Sequence, residues 1–574
     1  MDYRETYLQW LKALKGTEHE AELMALLDNE KDLQDSFYKY LEFGTAGMRG
    51  VIGLGTNRMN LFTVKRSTQG LANYINEIGA ADKGVAIAYD SRLHGDEFAL
   101  ASALVLAQNG VKVYLYDCLH SVPQLSYAVL KLGCIAGIVI TASHNPAIYN
   151  GYKVYGADGG QLAVEDAATV TNYINGIEDL FSVVEMDKQE AMDKGLLTYI
   201  SHDLDEEYYN DVVSVCINRE VIDAQKDTLT VVYTPLHGSG NIPVQNVLAK
   251  LGIQNLHIVK EQQMPDPTFH TVKAPNPEEP DAFVLATKLA NEVGANMILG
   301  TDPDCDRLGV CVRKADGEFM VLTGNQIGVL LLDYILSQKQ ASFTGDEFVV
   351  KSIVSTNMAE VIARYYGVEL RNVLTGFKFI AEQIKLSEQT GKGKFLFGFE
   401  ESFGFLSGTF VRDKDACIAA TMVTEMTCYY ASQGKTLYDA LNDLYAKYGY
   451  FKEKVLSMTL AGMEGIAKIQ NAVKTMRESK PTEIGGYKIS IIRDYLLQTS
   501  TDLQSYQVTP IELPKSDVLY YELEGGASFV IRPSGTEPKL KAYLTVSAAD
   551  NDTAEKALDA LVETVQNLMN ELTK

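Results

Sequence analysis

The sequence lacks long hydrophobic segments, a paired set of cysteines and an excess of positive charge. Its longest apolar runs, such as Cys134–Thr141 and Asn296–Leu299, have the length of a strand, whereas a membrane-spanning helix needs about 20 apolar residues. The first residues contain no basic region followed by an apolar stretch, so no secretory leader is expected. Seven scattered cysteines without C-x-x-C spacing predict neither a disulfide framework nor a zinc site. We therefore expect a cytoplasmic protein without a membrane partner.

Acidic residues outnumber basic ones by 75 to 51, which gives a formal net charge of −24. This balance argues against nucleic acid as a partner, because its binding depends mainly on Lys and Arg contacts to phosphate. An anionic small molecule would also be repelled on average, so a site for one must concentrate cations, a metal ion or amide dipoles. No obligate protein partner is indicated.

A chain of 574 residues is too long for one hydrophobic core and predicts about three to five domains. After a helical N-terminal region, three segments each repeat an order of strand, helix, strand, helix, strand. The predicted strands are Val85–Tyr89, Val111–Tyr116 and Ile135–Ile140, then Thr228–Tyr233, Leu256–Val259 and Asn296–Leu299, and in the third segment Phe348–Val354 and Lys394–Phe397. The last hundred residues combine short strands with a long helix from about Asp552. The fold class is therefore α/β, with three mixed α/β units and a C-terminal α+β domain.

The loop after the strand Asn296–Leu299 carries three alternating carboxylates, Asp302, Asp304 and Asp306. Carboxylates this close repel one another unless a cation lies among them, and an all-oxygen ligand set favours Mg²⁺. A calcium EF-hand does not fit, because Arg307 and Arg313 stand where that loop needs Gly and Glu. A solvated acidic turn is the alternative. Arg307 could grip a phosphate or simply neutralise the carboxylates.

Two further loops carry hydroxyl groups. Ser143 follows an apolar strand and precedes His144, although a Ser-His-Asn-Pro segment taken alone is more often a plain turn. No G-x-S-x-G elbow is present, so a hydrolase triad has no support. The segment from Arg532 to Lys539 combines a guanidinium, hydroxyls and Gly535 and suits a phosphate, with a hairpin connection as the alternative. Lys414 could transfer a proton or form a surface ion pair.

Together, these loops resemble the motifs of the α-D-phosphohexomutase family, and most closely its bacterial phosphoglucomutase/phosphopentomutase-like branch. The similarity covers nearly the whole chain. The matching motifs are Phe43–Gly50, Thr141–Pro146, Asp302–Arg307, Leu374–Lys378, Glu400–Gly404 and Arg532–Thr536. The resemblance implies four domains around a central cleft, with bounds 1–205, 206–318, 319–448 and 449–574.

The resemblance also implies a role for each matching residue. Ser143 would carry the phosphoryl group and complete a Mg²⁺ site with Asp302, Asp304 and Asp306. Arg49 and Arg307 would contact this phosphate, and Lys414 or His144 would transfer the proton. The sugar and its unreactive phosphate would be bound by Thr375, Gly376, Glu400, Ser402, Arg532, Ser534, Gly535, Thr536 and Lys541. The Lys541 role is left open, because the Glu-Pro-Lys that follows Thr536 departs from animal members of the family.

The implied activity is the interconversion of glucose 1-phosphate and glucose 6-phosphate, an isomerase reaction through a phosphoserine. Glucose 1,6-bisphosphate would be both intermediate and activator. Mannose or pentose phosphates remain alternative substrates, since sequence does not resolve the contacts that read hydroxyl stereochemistry. A phosphosugar hydrolase and a non-catalytic sugar-phosphate sensor are alternatives from other classes. The joint presence of Ser143, the three aspartates and Lys414 argues against the sensor.

Overall fold

The computed structural model describes residues 2–44, 47–460, 462–534 and 539–574. By their internal contacts these residues form two units. The first contains Met1–Gly324, Ala381–Phe395 and Ser402–Thr436, and the second contains Asn325–Ile380, Leu396–Glu401 and Leu437–Lys574. Among the described residues, no helix combines the length and apolar character needed to cross a bilayer. The cytoplasmic location stays a prediction.

The first unit begins with three short helices that bury Trp10 and Phe37 in a small core of their own. Its helices are α1 (Tyr3–Ala13), α2 (Glu20–Ala25), α3 (Glu30–Phe37), α4 (Leu61–Glu77), α5 (Gly95–Gln108), α6 (Val122–Leu132), α7 (Val164–Asn175), α8 (Lys188–Asp193), α9 (Asp203–Val213), α10 (Arg219–Gln225), α11 (Asn241–Leu251), α12 (Lys260–Gln263) and α13 (Val284–Val293). Its strands are β1 (Gly47–Val51), β2 (Val85–Tyr89), β3 (Val113–Leu115), β4 (Ala136–Ile140), β5 (Tyr149–Gly156), β6 (Leu197–Tyr199), β7 (Thr230–Thr234), β8 (Asn255–Ile258), β9 (Met297–Thr301), β10 (Leu308–Arg313) and β11 (Phe319–Val321).

Two mixed sheets organise this unit. The first has the order β1-β5-β4-β2-β3-β6, with β2, β3, β4 and β6 parallel and the hairpin β4-β5 antiparallel. The second has the order β11-β10-β9-β7-β8, with β7, β8 and β9 parallel. Parallel strands joined by helices are buried on both faces, which explains the nearly continuous apolar runs of β2, β4, β7 and β9. The predicted repeat of strand and helix is confirmed.

The remaining elements lie between Gly324 and Leu572. The helices are α14 (Gly324–Lys339), α15 (Met358–Tyr366), α16 (Phe377–Thr390), α17 (Ala416–Ala431), α18 (Leu437–Tyr448), α19 (Gly462–Ser479) and α20 (Asn551–Leu572). The strands are β12 (Glu347–Ser352), β13 (Glu369–Val373), β14 (Lys394–Glu400), β15 (Gly404–Leu406), β16 (Tyr450–Thr459), β17 (Glu483–Ile484), β18 (Tyr487–Asp494), β19 (Thr499–Asp502), β20 (Val508–Pro510), β21 (Leu519–Leu523), β22 (Ser528–Pro533) and β23 (Lys539–Ala548).

In the second unit, β12 pairs in parallel with β13 and lies between it and β14. The C-terminal part forms an antiparallel sheet in the order β16-β23-β22-β21-β18-β19-β20, and α19 and α20 pack on it. This sheet confirms the predicted α+β character of the last hundred residues. The four domain boundaries stay predictions.

Candidate active site

Ser143 lies three residues beyond the end of β4, in a conformation that few side-chain-bearing residues adopt. Its φ is +51°, which is in the left-handed region, and the residue is buried. Its backbone N–H donates to Thr141 Oγ1 at 2.8 Å. Its hydroxyl donates to Asp302 Oδ2 at 2.6 Å and lies 3.2 Å from Nδ1 of His144. Strained backbone at a hydroxyl residue is typical of functional sites.

Arg92 binds the backbone of the serine loop. This residue is fully buried and follows the end of β2. Its guanidinium donates to the carbonyl oxygens of Ser143 at 2.6 Å, Pro146 at 2.9 Å and Tyr149 at 2.8 Å, and also to that of Asn145. Arg92 therefore determines the path of the loop. Sequence reasoning assigned it no role, although the Asp-Ser-Arg segment at a strand end was visible.

The three aspartates follow β9 directly and are all buried. Asp302 Oδ1 accepts the backbone N–H groups of Asp306 at 3.1 Å and Arg307 at 3.0 Å, so the loop curls around this carboxylate. Asp304 Oδ2 accepts from Lys153 Nζ at 2.9 Å. The loop after β9 thus brings the carboxylate of Asp302 within hydrogen-bonding distance of the serine hydroxyl.

These carboxylates fit a divalent cation. One oxygen from each of Asp302, Asp304 and Asp306 lies within 4.8 Å of the other two. Asp304 Oδ1 and Asp306 Oδ1 are buried and have no hydrogen-bond partner among the described residues. Buried oxygens are rarely left unpaired unless a ligand or ion satisfies them. An all-oxygen set of this kind suits Mg²⁺.

The electrostatics of the triad show how tightly the charges are coupled. Burial, followed by the charge of Asp304, raises the pKa of both Asp302 and Asp306. Burial also disfavours the charged form of Asp304, but Lys153 and the hydrogen bond with Asp302 outweigh it and hold the pKa of Asp304 below its ordinary value. A divalent cation would relieve this repulsion.

Three cations surround the triad. Lys414 Nζ lies 2.9 Å from Asp306 Oδ2 and 3.1 Å from Asp413 Oδ1. Burial works against its ammonium, but these two carboxylates outweigh that effect and raise the pKa of Lys414 above its ordinary value. Arg307 forms an ion pair with Glu278, and Lys153 contacts Asp304. Sequence reasoning missed Lys153, because only the pairing of β5 with β4 brings it to the site.

Arg49 and His144 lie beside the serine loop. The Arg49 guanidinium donates to Asn145 Oδ1 at 2.8 Å from strand β1. Burial lowers the pKa of His144 well below its ordinary value, and the charges of Arg307 and Arg49 lower it further. This environment favours the neutral imidazole of His144 over its charged form. Every predicted residue of the phosphoserine and metal group lies in the first unit and is brought together there.

The predicted sugar-binding residues Thr375, Gly376 and Glu400 lie in the second unit. The N–H of Gly376, at φ +122°, donates to Glu400 Oε1 at 2.7 Å. Thr375 Oγ1 is buried and has no hydrogen-bond partner among the described residues. The neighbouring carboxylate of Glu401 accepts from Ser352 and Ser355 at 3.1 and 3.2 Å. This group therefore combines the Thr375 hydroxyl with the carboxylates of Glu400 and Glu401, which hydrogen bonds hold in place. Ser402 belongs to the first unit.

The predicted phosphate clamp lies on β22 and β23. Arg532 and Lys541 are directly opposite in the antiparallel register and thus present their side chains on one face. Arg532 is largely buried, and Tyr543 together with Glu400 and Glu401 raises its pKa despite that burial. The N–H of Ser534 donates to the Lys539 carbonyl oxygen at 2.7 Å. Gly535 and Thr536 lie outside the described residues.

Comparison with known proteins decides the family. Residues 40–180, 206–317 and 323–448 match the models for the α/β/α domains I, II and III of phosphoglucomutase/phosphomannomutase. A phosphoglucomutase from Staphylococcus epidermidis is 38% identical over 532 residues, which cover 92% of this chain and 95% of that protein. The chain belongs to the α-D-phosphohexomutase family. It is accordingly a phosphosugar mutase, an isomerase.

Solved structures share the fold of this phosphohexomutase. The phosphoglucomutase pp63/parafusin from Paramecium, in its open form, has a TM-score of 0.68 at 15% identity and covers 93% of this chain and 96% of its own. An N-acetylphosphoglucosamine mutase from Aspergillus fumigatus was solved with GlcNAc-6P and magnesium. It has a TM-score of 0.50 at 14% identity and covers 92% and 96% of the two chains. A protein of this fold has therefore been observed with a phosphosugar and magnesium.

Proposed function

We propose that this phosphohexomutase interconverts glucose 1-phosphate and glucose 6-phosphate through a phosphorylated Ser143 and a glucose 1,6-bisphosphate intermediate. The Ser143 hydroxyl lies 2.6 Å from Asp302, beside two buried carboxylate oxygens that have no hydrogen-bond partner among the described residues. The S. epidermidis relative, named a phosphoglucomutase, supports glucose as the sugar.

The reaction is a pair of phosphoryl transfers. In the first, the bond between phosphorus and Ser143 Oγ breaks while a free hydroxyl of the sugar monophosphate forms a bond to the same phosphorus. The sugar hydroxyl gives its proton to a base, and the departing Ser143 oxygen takes up one proton, which restores the serine hydroxyl. The second transfer runs in reverse, from the other phosphate of the bisphosphate back to Ser143. Catalysis is then mostly alignment and charge stabilisation.

Asp302, Asp304 and Asp306 would hold Mg²⁺, with an oxygen of the phosphorylated Ser143 completing the set. The ion would supply charge stabilisation for the transferring phosphoryl group. Arg49 is positioned near the serine loop through Asn145. Arg307 is tied to Glu278 and the aspartate loop. We assign both arginines to the phosphate oxygens, because a guanidinium can donate two parallel hydrogen bonds to one phosphate group.

Lys414 and His144 are the two candidates for the proton transfer. His144 Nδ1 lies 3.2 Å from Ser143 Oγ, so it is within reach of the serine oxygen. We assign Lys414, whose ammonium lies between Asp306 and Asp413, to proton transfer at the sugar oxygen instead. Replacing each in turn separates these roles. His144→Gln should slow the transfer that returns the phosphate to serine, and Lys414→Met should slow the transfer to sugar.

We assign sugar recognition to Thr375, Gly376, Glu400 and Ser402. The unreactive phosphate falls to Arg532, Ser534, Gly535, Thr536 and Lys541. The hydroxyl of Thr375 and the guanidinium Nε of Arg532 support this assignment, because both are buried and without a hydrogen-bond partner among the described residues. Because these clamp residues belong to a different segment from Ser143, they would accept either phosphate of the bisphosphate. Such a clamp would let the sugar turn over between the two transfers.

A coupled assay tests the proposed reaction. Glucose, mannose and ribose 1-phosphates are compared as substrates with and without Mg²⁺, in the presence of a trace of glucose 1,6-bisphosphate. The proposal expects glucose 1-phosphate to have the highest kcat/KM and activity to require the metal. A higher kcat/KM for mannose or ribose phosphate would reassign the sugar. Release of inorganic phosphate from glucose 1-phosphate without isomerisation would contradict the mutase reaction.

Ser143→Ala tests the nucleophile. We expect turnover to vanish, because no other hydroxyl replaces the phosphate carrier. Ser102→Ala is the matched control, since Ser102 is also buried but its hydroxyl donates to Phe98 within helix α5. Activity retained by Ser143→Ala, or lost equally in the control, would overturn the assignment.

A further inference from the structure

Three side chains away from the serine and aspartate loops converge near the start of α9. His120 lies in the loop before α6, and His202 and Asp205 lie three positions apart at the N-terminus of α9. His120 Nε2 is 3.1 Å from each oxygen of Asp205, and His202 Nδ1 is 3.2 Å from Asp205 Oδ2. One nitrogen from each ring and one carboxylate oxygen all lie within 4.8 Å of one another.

The hydrogen bonds of His120 decide which of its nitrogens carries hydrogen. Nδ1 lies 3.0 Å from the carbonyl oxygen of Cys118, and a carbonyl only accepts, so Nδ1 is protonated. In a neutral ring, the lone pair of Nε2 then faces a carboxylate at 3.1 Å. Two acceptors at this distance repel each other unless a proton or a metal ion lies between them. The ring is also stacked on Tyr116 at 3.6 Å, which fixes its orientation.

His202 faces carboxylates on both sides. Its Nδ1 approaches Asp205, and its Nε2 lies 3.5 Å from Asp117 Oδ2. A carboxylate behind the second nitrogen is the usual outer partner of a metal-bound histidine, as is the backbone carbonyl behind His120. The remaining hydrogen bond to Asp205 comes from Gln124 Nε2 at 2.8 Å, which orients the carboxylate. The outer contacts of a metal site are thus in place.

We infer that His120, His202 and Asp205 form a second metal site, separate from the aspartate triad, that takes a borderline divalent ion such as Zn²⁺. Tetrahedral Zn²⁺ with bonds of about 2.0–2.2 Å sets its ligand atoms about 3.3–3.6 Å apart, slightly more than the 3.1 and 3.2 Å between the histidines and Asp205. Two imidazoles and one carboxylate select such ions over Mg²⁺, which prefers oxygen. His202 is 65% exposed, so a fourth position is open to water.

A second cluster, which contains His237 and His270, provides a comparison, because the hydrogen bonds of His237 are complete without a metal ion. His237 Nδ1 donates to the Met264 carbonyl at 2.9 Å, and its Nε2 accepts from the Thr271 hydroxyl at 2.9 Å. Both nitrogens are therefore satisfied by neutral groups. His270 nearby faces Asp266 with one nitrogen and has a side-chain exposure of 67%, almost that of His202. His270 is the matched control.

The second site is connected to the first through the backbone. The N–H of Val122, two residues beyond His120, donates to the carbonyl oxygen of Asp304 at 2.9 Å. An ion that joins His120 to α9 would restrain the segment that supports the aspartate loop. The ion of the second site would therefore stabilise the fold around the aspartate loop without contacting substrate.

Chemical footprinting of the full-length protein, with Mg²⁺ in excess, tests the site directly. Diethyl pyrocarbonate modifies exposed imidazoles, and peptide mapping reads each histidine separately. We expect Zn²⁺ to protect His202 and to leave the modification of His270 unchanged. Unchanged modification of His202, or equal protection of both histidines, would overturn the inference.

Equilibrium dialysis against Zn²⁺ gives an independent count. Zn²⁺ that displaces Mg²⁺ from the aspartate triad contributes equally to every variant. Wild type and His270→Gln should therefore retain one more equivalent than Asp205→Asn, with folding checked by circular dichroism. Asp117→Asn, which removes an outer partner, should weaken the second site about 10-fold. Equal numbers of retained equivalents in wild type and Asp205→Asn would contradict the site.

Discussion

Arg92→Lys tests whether the shape of the serine loop controls catalysis. The guanidinium distributes its donors over four backbone carbonyls of the loop that carries Ser143. A lysine ammonium has three N–H donors on one atom, so at least one buried carbonyl loses its partner. Such a loss costs about 1–3 kcal/mol. A displacement of the reacting hydroxyl by about 1 Å typically lowers the rate about 100-fold.

The assay measures kcat with saturating glucose 1-phosphate, together with the free energy of unfolding in urea. We expect kcat to fall about 100-fold while the stability falls by about 1–3 kcal/mol. Arg58→Lys is the control, because Arg58 is equally a buried arginine but pairs with Asp32 and Asp35 among the N-terminal helices. It should lose stability and keep its kcat. A kcat of Arg92→Lys within twofold of wild type would refute the reasoning.

Further variants test other parts of the account. Asp304→Asn should abolish Mg²⁺-dependent activity, and activity that still rises with Mg²⁺ would contradict the metal assignment. Arg532→Ala should raise KM for glucose 1-phosphate, and unchanged kinetics would exclude a clamp. Gly376→Ala, at φ +122°, should lower the unfolding free energy by about 1–3 kcal/mol in urea; a neutral effect would contradict backbone strain. Burial raises the pKa of Glu453 to about 6 from 4.5, so the folded state binds this proton more tightly than the unfolded state. Stability from this group is present at low pH and is lost, by about 2 kcal/mol, as pH rises through 6. Glu453→Gln should flatten that slope in unfolding at pH 4.5 to 7, and an unchanged slope would be evidence against it.

Local patterns in the sequence were enough to predict that several polar residues lie at the ends of buried strands. Asp302, Asp304 and Asp306 come directly after an apolar strand, and the chain alone places them at the end of β9. Ser143 likewise follows the predicted strand that forms β4, but its role was predicted from the family resemblance. Ligands in open α/β sheets bind beyond such strand ends, so these positions needed no knowledge of long-range packing.

Residues that reach the site from another strand were not predictable in this way. Lys153 lies in β5 and reaches Asp304 only because β5 pairs antiparallel with β4, with Lys153 opposite Val139. The four carbonyls that Arg92 holds are likewise 51 to 57 residues away along the chain. Such contacts depend on register and packing. The roles assigned to Gly535 and Thr536 stay predictions.

The N-terminal region shows a similar limit. Its apolar spacing correctly predicts amphipathic helices, but the structure divides residues 3–37 into three helices and a short 3-10 turn. Asn29 ends that turn and caps α3 by accepting the N–H of Asp32. Capping residues set such boundaries, and apolar periodicity alone does not locate them.

The central claim is that Ser143 carries the phosphoryl group. Intact mass and peptide mapping of the wild-type protein, after incubation with glucose 1,6-bisphosphate and Mg²⁺, measure this most directly. The account predicts one phosphate, located on Ser143, that is lost when glucose 1-phosphate is added in excess without bisphosphate. An active protein that never carries phosphate at this position, or carries it elsewhere, would contradict the account.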